Sequence, residues 1–263
     1  MRLLPKGIPL RKGVKLYRRI RYRNGFGVHS PFVFNLITKV IEESCPYYAF
    51  HDIEMERRKL LLRMEQLTYP DRQQENKLKT RPLGRIAERE AISRKQGMLL
   101  FRLANYFRSK RIIQLGPAMG ISTLYLTSYA ADLKCIAIEH VPGFARIASE
   151  VLARAARNPV DLRVGASREL FPKALVDMEK VDFVLFNTLY EQQNTCCLFE
   201  EALKYVHSDT VFVFEGIRQS RQMRNCWKEI CSHPEVTVTM DLYSMGLVFF
   251  NPKLHKRNYK TYL

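Results

Sequence analysis

The sequence predicts an α/β protein whose mostly parallel, seven-stranded sheet ends in an antiparallel hairpin, behind a basic and mainly helical N-terminal extension. Two observations predict this class. Apolar runs alternate with helical stretches along the second half of the 263-residue chain, and the last two runs are separated by only a short turn. With 46% hydrophobic residues, the chain can bury one substantial core.

Seven apolar segments are the predicted strands. They span residues 111–116, 134–139, 160–164, 181–187, 209–215, 235–242 and 245–250. Helical stretches lie between the first six, as expected for strands joined by crossovers. Only a short turn around Tyr243-Ser244 separates the last two, so these two strands are predicted to form an antiparallel hairpin.

Residues 1–95 are predicted to be an extension of the sheet domain at 96–263, because they contain little that could form a sheet. Ser30 and Pro31 mark the start of a helix, as N-cap and first helical residue. One helix is predicted from residue 31 to about 43 and a second at 53–67. A polar loop is predicted at 71–82.

Positive charge is concentrated at the N terminus. The formal net charge is +17, and no Asp or Glu occurs between Met1 and Ile41. The basic arm from Arg2 to Arg23 predicts either a solvated tail or binding to RNA or an anionic membrane surface. Apolar residues at helical spacing beside this charge are typical of an interfacial helix: Leu10, Val14, Tyr17 and Ile20.

The spacing of the cysteines indicates the redox environment in which the protein is expected to work. Six cysteines occur without a CxxC pair, which predicts free thiols in a reducing environment and therefore a cytoplasmic protein. No apolar run approaches the roughly 18 residues of a spanning helix, so a transmembrane segment is not predicted.

The turn after the first predicted strand has the features of a nucleotide-like binding site. Gly116 allows a tight turn, and Gly120 allows the backbone to approach a ligand at the start of the next helix. Glu139 ends the following strand, 19 positions after Gly120. A carboxylate at this position can accept hydrogen bonds from both hydroxyls of a ribose.

Residues 96 to 251 resemble the class I S-adenosylmethionine-dependent methyltransferases, through this turn, the acid and the closing hairpin. The resemblance implies a Rossmann-like methyltransferase fold with S-adenosylmethionine as cofactor. A second resemblance is more specific. Gly25 to Phe34 contains His-Ser-Pro-Phe-Val-Phe, which is similar to the leader of a Bacteroidetes-type group of methyltransferases.

The resemblance also implies cofactor-binding roles. Gln114 stands where the family carries an acid for the amino group of the methionine part, and Ala118 stands where many members have a second glycine. Ser167 or the backbone would have to contact the adenine, since Ala166 has no polar side chain. The implied cofactor-binding residues are Gln114, Gly116, Ala118, Gly120, Glu139 and Ser167.

The catalytic end departs from the metal-dependent branch of the family. Asn187 stands where that branch has an aspartate ligand, Gly216 where a second acid would help, and Glu215 is the one remaining carboxylate. Hard divalent cations favour several carboxylate oxygens, so no metal is predicted. Tyr190 stands near the position of a lysine base and is a poor base at neutral pH. Asn187, Tyr190 and Glu215 are the candidate catalytic residues.

The sequence therefore predicts a metal-independent methyltransferase of unidentified acceptor. Arg218, Arg221 and Arg224 at helical spacing predict either a solvated face or a preference for an acidic or phosphorylated acceptor. The alternative is a non-catalytic binding protein on a methyltransferase scaffold, which holds RNA or an anionic membrane through the basic arm.

Overall fold

A computed structural model gives the structure of the protein and describes residues 10–22, 25–72, 77–188 and 190–263. The N-terminal part of the basic arm, and Arg23 with it, lie outside these residues. The helices are α1 (Leu10–Arg21), α2 (Pro31–Leu36), α3 (Tyr48–Leu61), α4 (Leu83–Glu90), α5 (Arg94–Tyr106), α6 (Ile121–Thr127), α7 (Pro142–Ala155), α8 (Ser167–Met178), α9 (Thr195–Ala202) and α10 (Arg221–Ser232). A π-helical segment, Ile37–Ile41, continues α2.

The strands are β1 (Gln66–Pro70), β2 (Leu78–Pro82), β3 (Arg111–Leu115), β4 (Lys134–Glu139), β5 (Val160–Val164), β6 (Phe183–Phe186), β7 (Val211–Glu215), β8 (Val238–Asp241), β9 (Met245–Phe249) and β10 (Arg257–Lys260). Within the described residues, the main sheet has eight strands in the order β10-β8-β9-β7-β6-β3-β4-β5. Strands β3 to β7 are parallel to one another, whereas β9 runs antiparallel to β7 and β8.

Strands β6 and β9 are apolar along their whole length because helices cover both faces of the sheet. All residues of β6 and β9 are buried. One hydrophobic cluster joins this sheet to α5, α6, α7 and the N-terminal helices, and a second joins it to α8, α9 and α10. The N-terminal helices therefore share a core with the sheet.

The eighth strand, β10, was not predicted. It pairs in parallel with β8, so it covers the edge that the last predicted hairpin would otherwise leave open. The hydroxyl of Thr239 donates to Asn258 Oδ1 at 2.8 Å, and Tyr259 packs against the core. The short polar sequence of β10 gives no periodic apolar signal, so its strand depends on the neighbour that it pairs with.

The prediction that residues 1–95 lack sheet structure is wrong. Strands β1 and β2 form an antiparallel hairpin, with Gln66 opposite Pro82 and Pro70 opposite Leu78. The predicted loop at 71–82 therefore contains a strand, and the helix predicted to reach residue 67 ends at Leu61. Burial alternates along β1, as expected for a strand with one covered face.

The leader begins a helix as predicted. The Ser30 side chain accepts a hydrogen bond from the Val33 N–H at 3.4 Å, and Pro31 is the first helical residue. Val33 is fully buried, while the Phe32 ring packs edge-on against Phe249 at 5.1 Å between centroids. The leader thus attaches the N-terminal helices to the end of β9.

Cys196 and Cys226 form a disulfide between α9 and α10, which corrects the expectation that all six cysteines are free thiols.

In the parts of the chain that the structure describes, no helix has the length and apolar character needed to cross a bilayer.

Candidate cofactor and active site

The turn between β3 and α6 is held in left-handed backbone conformations. Gly116, Ala118 and Gly120 have φ values of +65°, +51° and +83°. A Cβ atom at Gly116 would lie 2.1 Å from the carbonyl oxygen of Asn187, so only glycine fits there. Ala118 adopts a left-handed conformation that costs an L-residue roughly 1–2 kcal/mol and that glycine adopts without this cost.

Glu139 closes this turn from the end of β4. Its Oε2 accepts a hydrogen bond from the Ala118 N–H at 2.8 Å, and its Oε1 accepts from the Val141 N–H at 2.9 Å. The residue is only 3% exposed. Burial raises the pKa of the Glu139 carboxyl to about 7, while the two backbone N–H groups oppose this shift. The sequence-predicted turn and acid are therefore in direct contact.

Gln114 is fully buried and has local partners. Its Nε2 donates to Ser122 Oγ at 2.6 Å, and its Oε1 accepts from Thr123 Oγ1 at 2.8 Å. These bonds tie β3 to the first turn of α6. In this structure the Gln114 amide therefore stabilises the turn, and its implied contact with the cofactor's amino group stays a prediction.

Ser167 lies at the first position of α8 and binds an acid that the sequence analysis missed. The backbone N–H of Ser167 donates to the two carboxylate oxygens of Glu191 at 3.2 and 3.3 Å, and the Ser167 hydroxyl donates to Oε2. His140 Nδ1 lies 3.8 Å from Glu191 Oε1. The signal that could have identified Glu191 is its place four residues after Asn187, in the loop that follows a predicted strand.

Asn187 follows β6 and is turned towards the glycine turn. Its Nδ2 donates to the carbonyl of Gly116 at 3.0 Å, while its Oδ1 is buried without a hydrogen-bond partner among the described residues. Glu215, at the end of neighbouring β7, likewise has a buried Oε1 without such a partner. Burial raises the pKa of Glu215 to about 7, and the positive charge of Arg72 opposes this shift.

Tyr190 is covered by the N-terminal hairpin. The Arg72 guanidinium lies 4.7 Å from the centre of the Tyr190 ring and forms an ion pair with buried Glu90. On its other side the Tyr190 ring packs edge-on against Phe144, which in turn contacts Tyr69 of β1. Burial raises the pKa of Tyr190 above its ordinary value, so the phenol is a weak base at neutral pH.

The donor set at this edge does not fit a divalent cation. Asn187 and Glu215 supply the oxygen donors at the ends of β6 and β7, and the nearby Arg72 places a fixed positive charge beside Glu215. A hard cation requires several carboxylate oxygens, and a guanidinium charge repels it. The described residues contain no group of three or more His, Cys, Asp or Glu that could hold a metal.

The three arginines after the fifth predicted strand do not share one helical face, contrary to the prediction from their spacing. Arg218 precedes α10 and is engaged with β8 and its turn: its guanidinium pairs with both Asp241 carboxylate oxygens and donates to the Tyr243 carbonyl at 2.7 Å. Arg218 therefore does not continue a helical face with Arg221 and Arg224, which are exposed on α10. The helical spacing was misleading because the helix begins only at Arg221.

The order of strands, the glycine turn and the acid at the end of β4 together define the class I methyltransferase fold. No protein-family model matches the sequence, and no curated protein matches it.

Solved structures are similar in fold. The S-adenosylhomocysteine-bound methyltransferase PaMTH1 from Podospora anserina is 11% identical, with 95% of this chain and 99% of that chain covered and a TM-score of 0.59. The O-methyltransferase TomG from Streptomyces achromogenes, involved in tomaymycin synthesis and solved with S-adenosylmethionine, is 19% identical over 83% and 95% of the two chains, with a TM-score of 0.55. An O-methyltransferase from Bacillus cereus in complex with S-adenosylhomocysteine is 17% identical over 83% and 97%, with a TM-score of 0.54. At these identities the similarity establishes the fold.

Proposed function

We propose that the protein is a metal-independent, S-adenosylmethionine-dependent methyltransferase whose acceptor is not identified. The observation that carries this proposal is the hydrogen bond from the Ala118 N–H to Glu139, which joins the left-handed turn to the acid at the end of β4. A ribose placed there can donate both hydroxyls to the carboxylate. The solved structures of the same fold with S-adenosylmethionine or S-adenosylhomocysteine support the choice of cofactor.

The chemistry requires little from the protein beyond positioning. The sulfonium of S-adenosylmethionine supplies an activated methyl group, so holding the acceptor in line accounts for much of the rate. Glu139 would hold the ribose, and the backbone of Gly116 would allow the close approach of the methionine part. Glu215 and Asn187 have buried oxygens that can accept hydrogen bonds from an acceptor hydroxyl or amine.

Calorimetric titration with S-adenosylhomocysteine tests the proposal. The wild type should bind it, and Glu139→Ala should weaken binding by about 10- to 150-fold, because hydrogen bonds to a charged acceptor contribute roughly 1.5–3 kcal/mol. The matched control is Glu88→Ala, whose carboxylate is exposed on α4. A wild-type protein that binds neither S-adenosylmethionine nor S-adenosylhomocysteine at millimolar concentration contradicts the proposal.

A second candidate function rests on the surface of α1. Tyr17 and Ile20 are 47% and 71% exposed on a helix with no acidic residue. Exposed apolar side chains beside basic ones favour binding to an anionic membrane surface. In this alternative the methyltransferase scaffold binds without catalysing.

Two finer assignments are proposals as well. We propose membership in the Bacteroidetes-type group with the His-Ser-Pro-Phe-Val-Phe leader, supported by the helix start at Ser30. We also propose a cytoplasmic location, supported by the free thiols of Cys45, Cys135, Cys197 and Cys231.

A further inference from the structure

The side chains of Asn187 and Glu215 lie on the same face of the main sheet. Phe186 and Phe214, which precede them, are register partners on neighbouring parallel strands, and their rings stack with 4.4 Å between centroids. Because successive side chains alternate between the two faces, the residues that follow this stacked pair both point to the opposite face. The Asn187 N–H continues the ladder by donating to the Leu115 carbonyl at 3.1 Å. Two polar side chains are therefore held side by side at the carboxyl edge of the sheet.

Each of these side chains has a buried oxygen that accepts no hydrogen bond within the described part of the chain: Asn187 Oδ1 and Glu215 Oε1. The Asn187 amide is oriented by its Nδ2, which donates to the Gly116 carbonyl at 3.0 Å. The two oxygens therefore adjoin the turn that we propose binds the cofactor. A buried acceptor that stays unpaired costs about 1–3 kcal/mol, so this pair of oxygens favours a ligand that donates two hydrogen bonds.

The charges beside these oxygens favour an uncharged ligand. Arg72 is paired with Glu90 and also acts on Glu215: burial raises the pKa of the Glu215 carboxyl, and the positive charge of Arg72 opposes this shift. A cationic ligand would be repelled by Arg72, and an anionic ligand would be repelled by the Glu215 carboxylate. A neutral group that donates hydrogen bonds meets neither repulsion.

We propose that the methyl acceptor is a primary amine, bound in its uncharged form with one N–H donated to Glu215 Oε1 and the other to Asn187 Oδ1. This inference rests on the proposed function and names the substrate class of the same site. A neutral primary amine satisfies both oxygens and keeps its lone pair for the methyl group, whereas a hydroxyl group has one hydrogen to donate and leaves one oxygen unpaired.

The proposed transfer is balanced by a proton acceptor in the site. The bond from nitrogen to the methyl carbon forms while the carbon–sulfur bond breaks, and the sulfur keeps the electron pair of the broken bond. One N–H proton of the methylated amine passes to the Glu215 carboxylate. Glu215 therefore both orients the amine and takes its proton, while Asn187 only orients it.

The experiment titrates three small probes into the full-length protein saturated with S-adenosylhomocysteine and follows binding by fluorine NMR. Trifluoroethylamine and trifluoroethanol are both uncharged at neutral pH and differ in the amino or hydroxyl group. The N,N-dimethyl derivative of the amine has no N–H to donate. The wild type should bind trifluoroethylamine about 5-fold more tightly than trifluoroethanol, because one further hydrogen bond contributes about 1 kcal/mol. The dimethyl derivative should bind most weakly.

Asn187→Leu removes the second acceptor and should abolish the preference for the amine over the alcohol. The matched control is Asn105→Leu, which makes the same change at an exposed position of α5 and should keep the preference. The inference is overturned if the wild type binds the alcohol or the dimethyl derivative as tightly as the amine, or if it binds no amine at tens of millimolar. These outcomes decide it even if Asn187→Leu does not fold. Failure of the wild type to bind S-adenosylhomocysteine would instead contradict the proposed function.

Discussion

Arg18 in α1 forms a two-point ion pair with Asp241 at the end of β8, although 223 residues separate them in the sequence. The nitrogen–oxygen distances are 2.8 and 3.3 Å, and both side chains are 9% exposed. Arg218 binds the same carboxylate, and both guanidiniums lie over the Tyr243 ring. Part of the basic arm is therefore used to attach α1 to the sheet.

Replacing Asp241 should lower the stability of the folded protein. Asp241→Asn leaves two partly buried guanidiniums without their negative partner, and we expect the free energy of unfolding to fall by about 3 kcal/mol. Urea unfolding followed by circular dichroism measures this loss. The control is Asp161→Asn, whose partner Arg163 is bound at the surface, with a change within about 0.5 kcal/mol. Equal stability of the two variants would show that the ion pairs of Asp241 with Arg18 and Arg218 contribute little.

The ion pairs of Asp241 should also make the free energy of unfolding depend on pH in acidic solution. The two arginines lower the pKa of Asp241 to about 2, below its ordinary value of 3.8. The folded state therefore holds the carboxylate charged where the unfolded state takes up a proton. This contribution to stability should be complete above about pH 4 and disappear as the pH falls through 2. Acid unfolding should begin at higher pH in Arg18→Gln than in wild type.

Cofactor binding should strengthen as the pH rises. Because burial raises the pKa of Glu139 to about 7, this carboxyl group takes up a proton in mildly acidic solution. The ribose hydroxyls need the charged carboxylate as acceptor, so affinity for S-adenosylhomocysteine should rise between about pH 6 and 8 and then level off. Titrations across this range should show a nearly flat profile for Glu139→Gln. A persistent slope in that variant would show that the proton belongs to a group other than Glu139.

Gly116 and Ala118, two left-handed positions of the turn between β3 and α6, should respond in opposite ways to exchange of alanine and glycine. Gly116→Ala places a Cβ atom against the Asn187 carbonyl and should destabilise the protein by several kcal/mol and abolish cofactor binding. Ala118→Gly relieves a left-handed alanine and should raise the free energy of unfolding by about 0.5–1 kcal/mol. Thermal and urea unfolding of both variants test the pair. Destabilisation by Ala118→Gly would contradict the assignment of strain to this residue.

Divalent metal should be unnecessary. The oxygen donors at the ends of β6 and β7 are Asn187 and Glu215, and the positive charge of Arg72 opposes a second cation beside them. Affinity for S-adenosylhomocysteine should therefore be the same in EDTA and in Mg²⁺, and the wild type should not take up Mn²⁺ stoichiometrically in a relaxation titration. Stoichiometric Mn²⁺ binding that Glu215→Gln removes would show that the site accepts a metal.

A substitution on the exposed side of α1 should distinguish binding to an anionic membrane from binding to nucleic acid. If lipid is the partner, Ile20→Ser should weaken binding to vesicles that contain anionic lipid by roughly 10-fold, because burial of such a side chain contributes about 1.5–3 kcal/mol. If duplex nucleic acid is the partner, Ile20→Ser should have little effect, and affinity should fall with a log-log salt slope of about 0.9 per phosphate contacted. Absence of salt-sensitive binding to either would leave the arm as a solvated tail.

Strands β3 to β9, the left-handed turn at Gly116 and the acid at Glu139 could be predicted from the amino-acid sequence alone. Apolar runs report burial on both faces of a sheet, and glycine reports a backbone conformation, so both are local signals. The N-cap at Ser30 is local in the same way.

Contacts between segments that are distant in the sequence could not be predicted and are seen only in the folded chain. Hairpin β1–β2 and strand β10 are short and polar, and each depends on a neighbour that covers it. Glu191 reaches Ser167 across 24 residues, and Arg18 reaches Asp241 across 223. Such pairs follow from the order of strands and the path of loops, because a charged side chain carries no sequence signal of the partner it will meet.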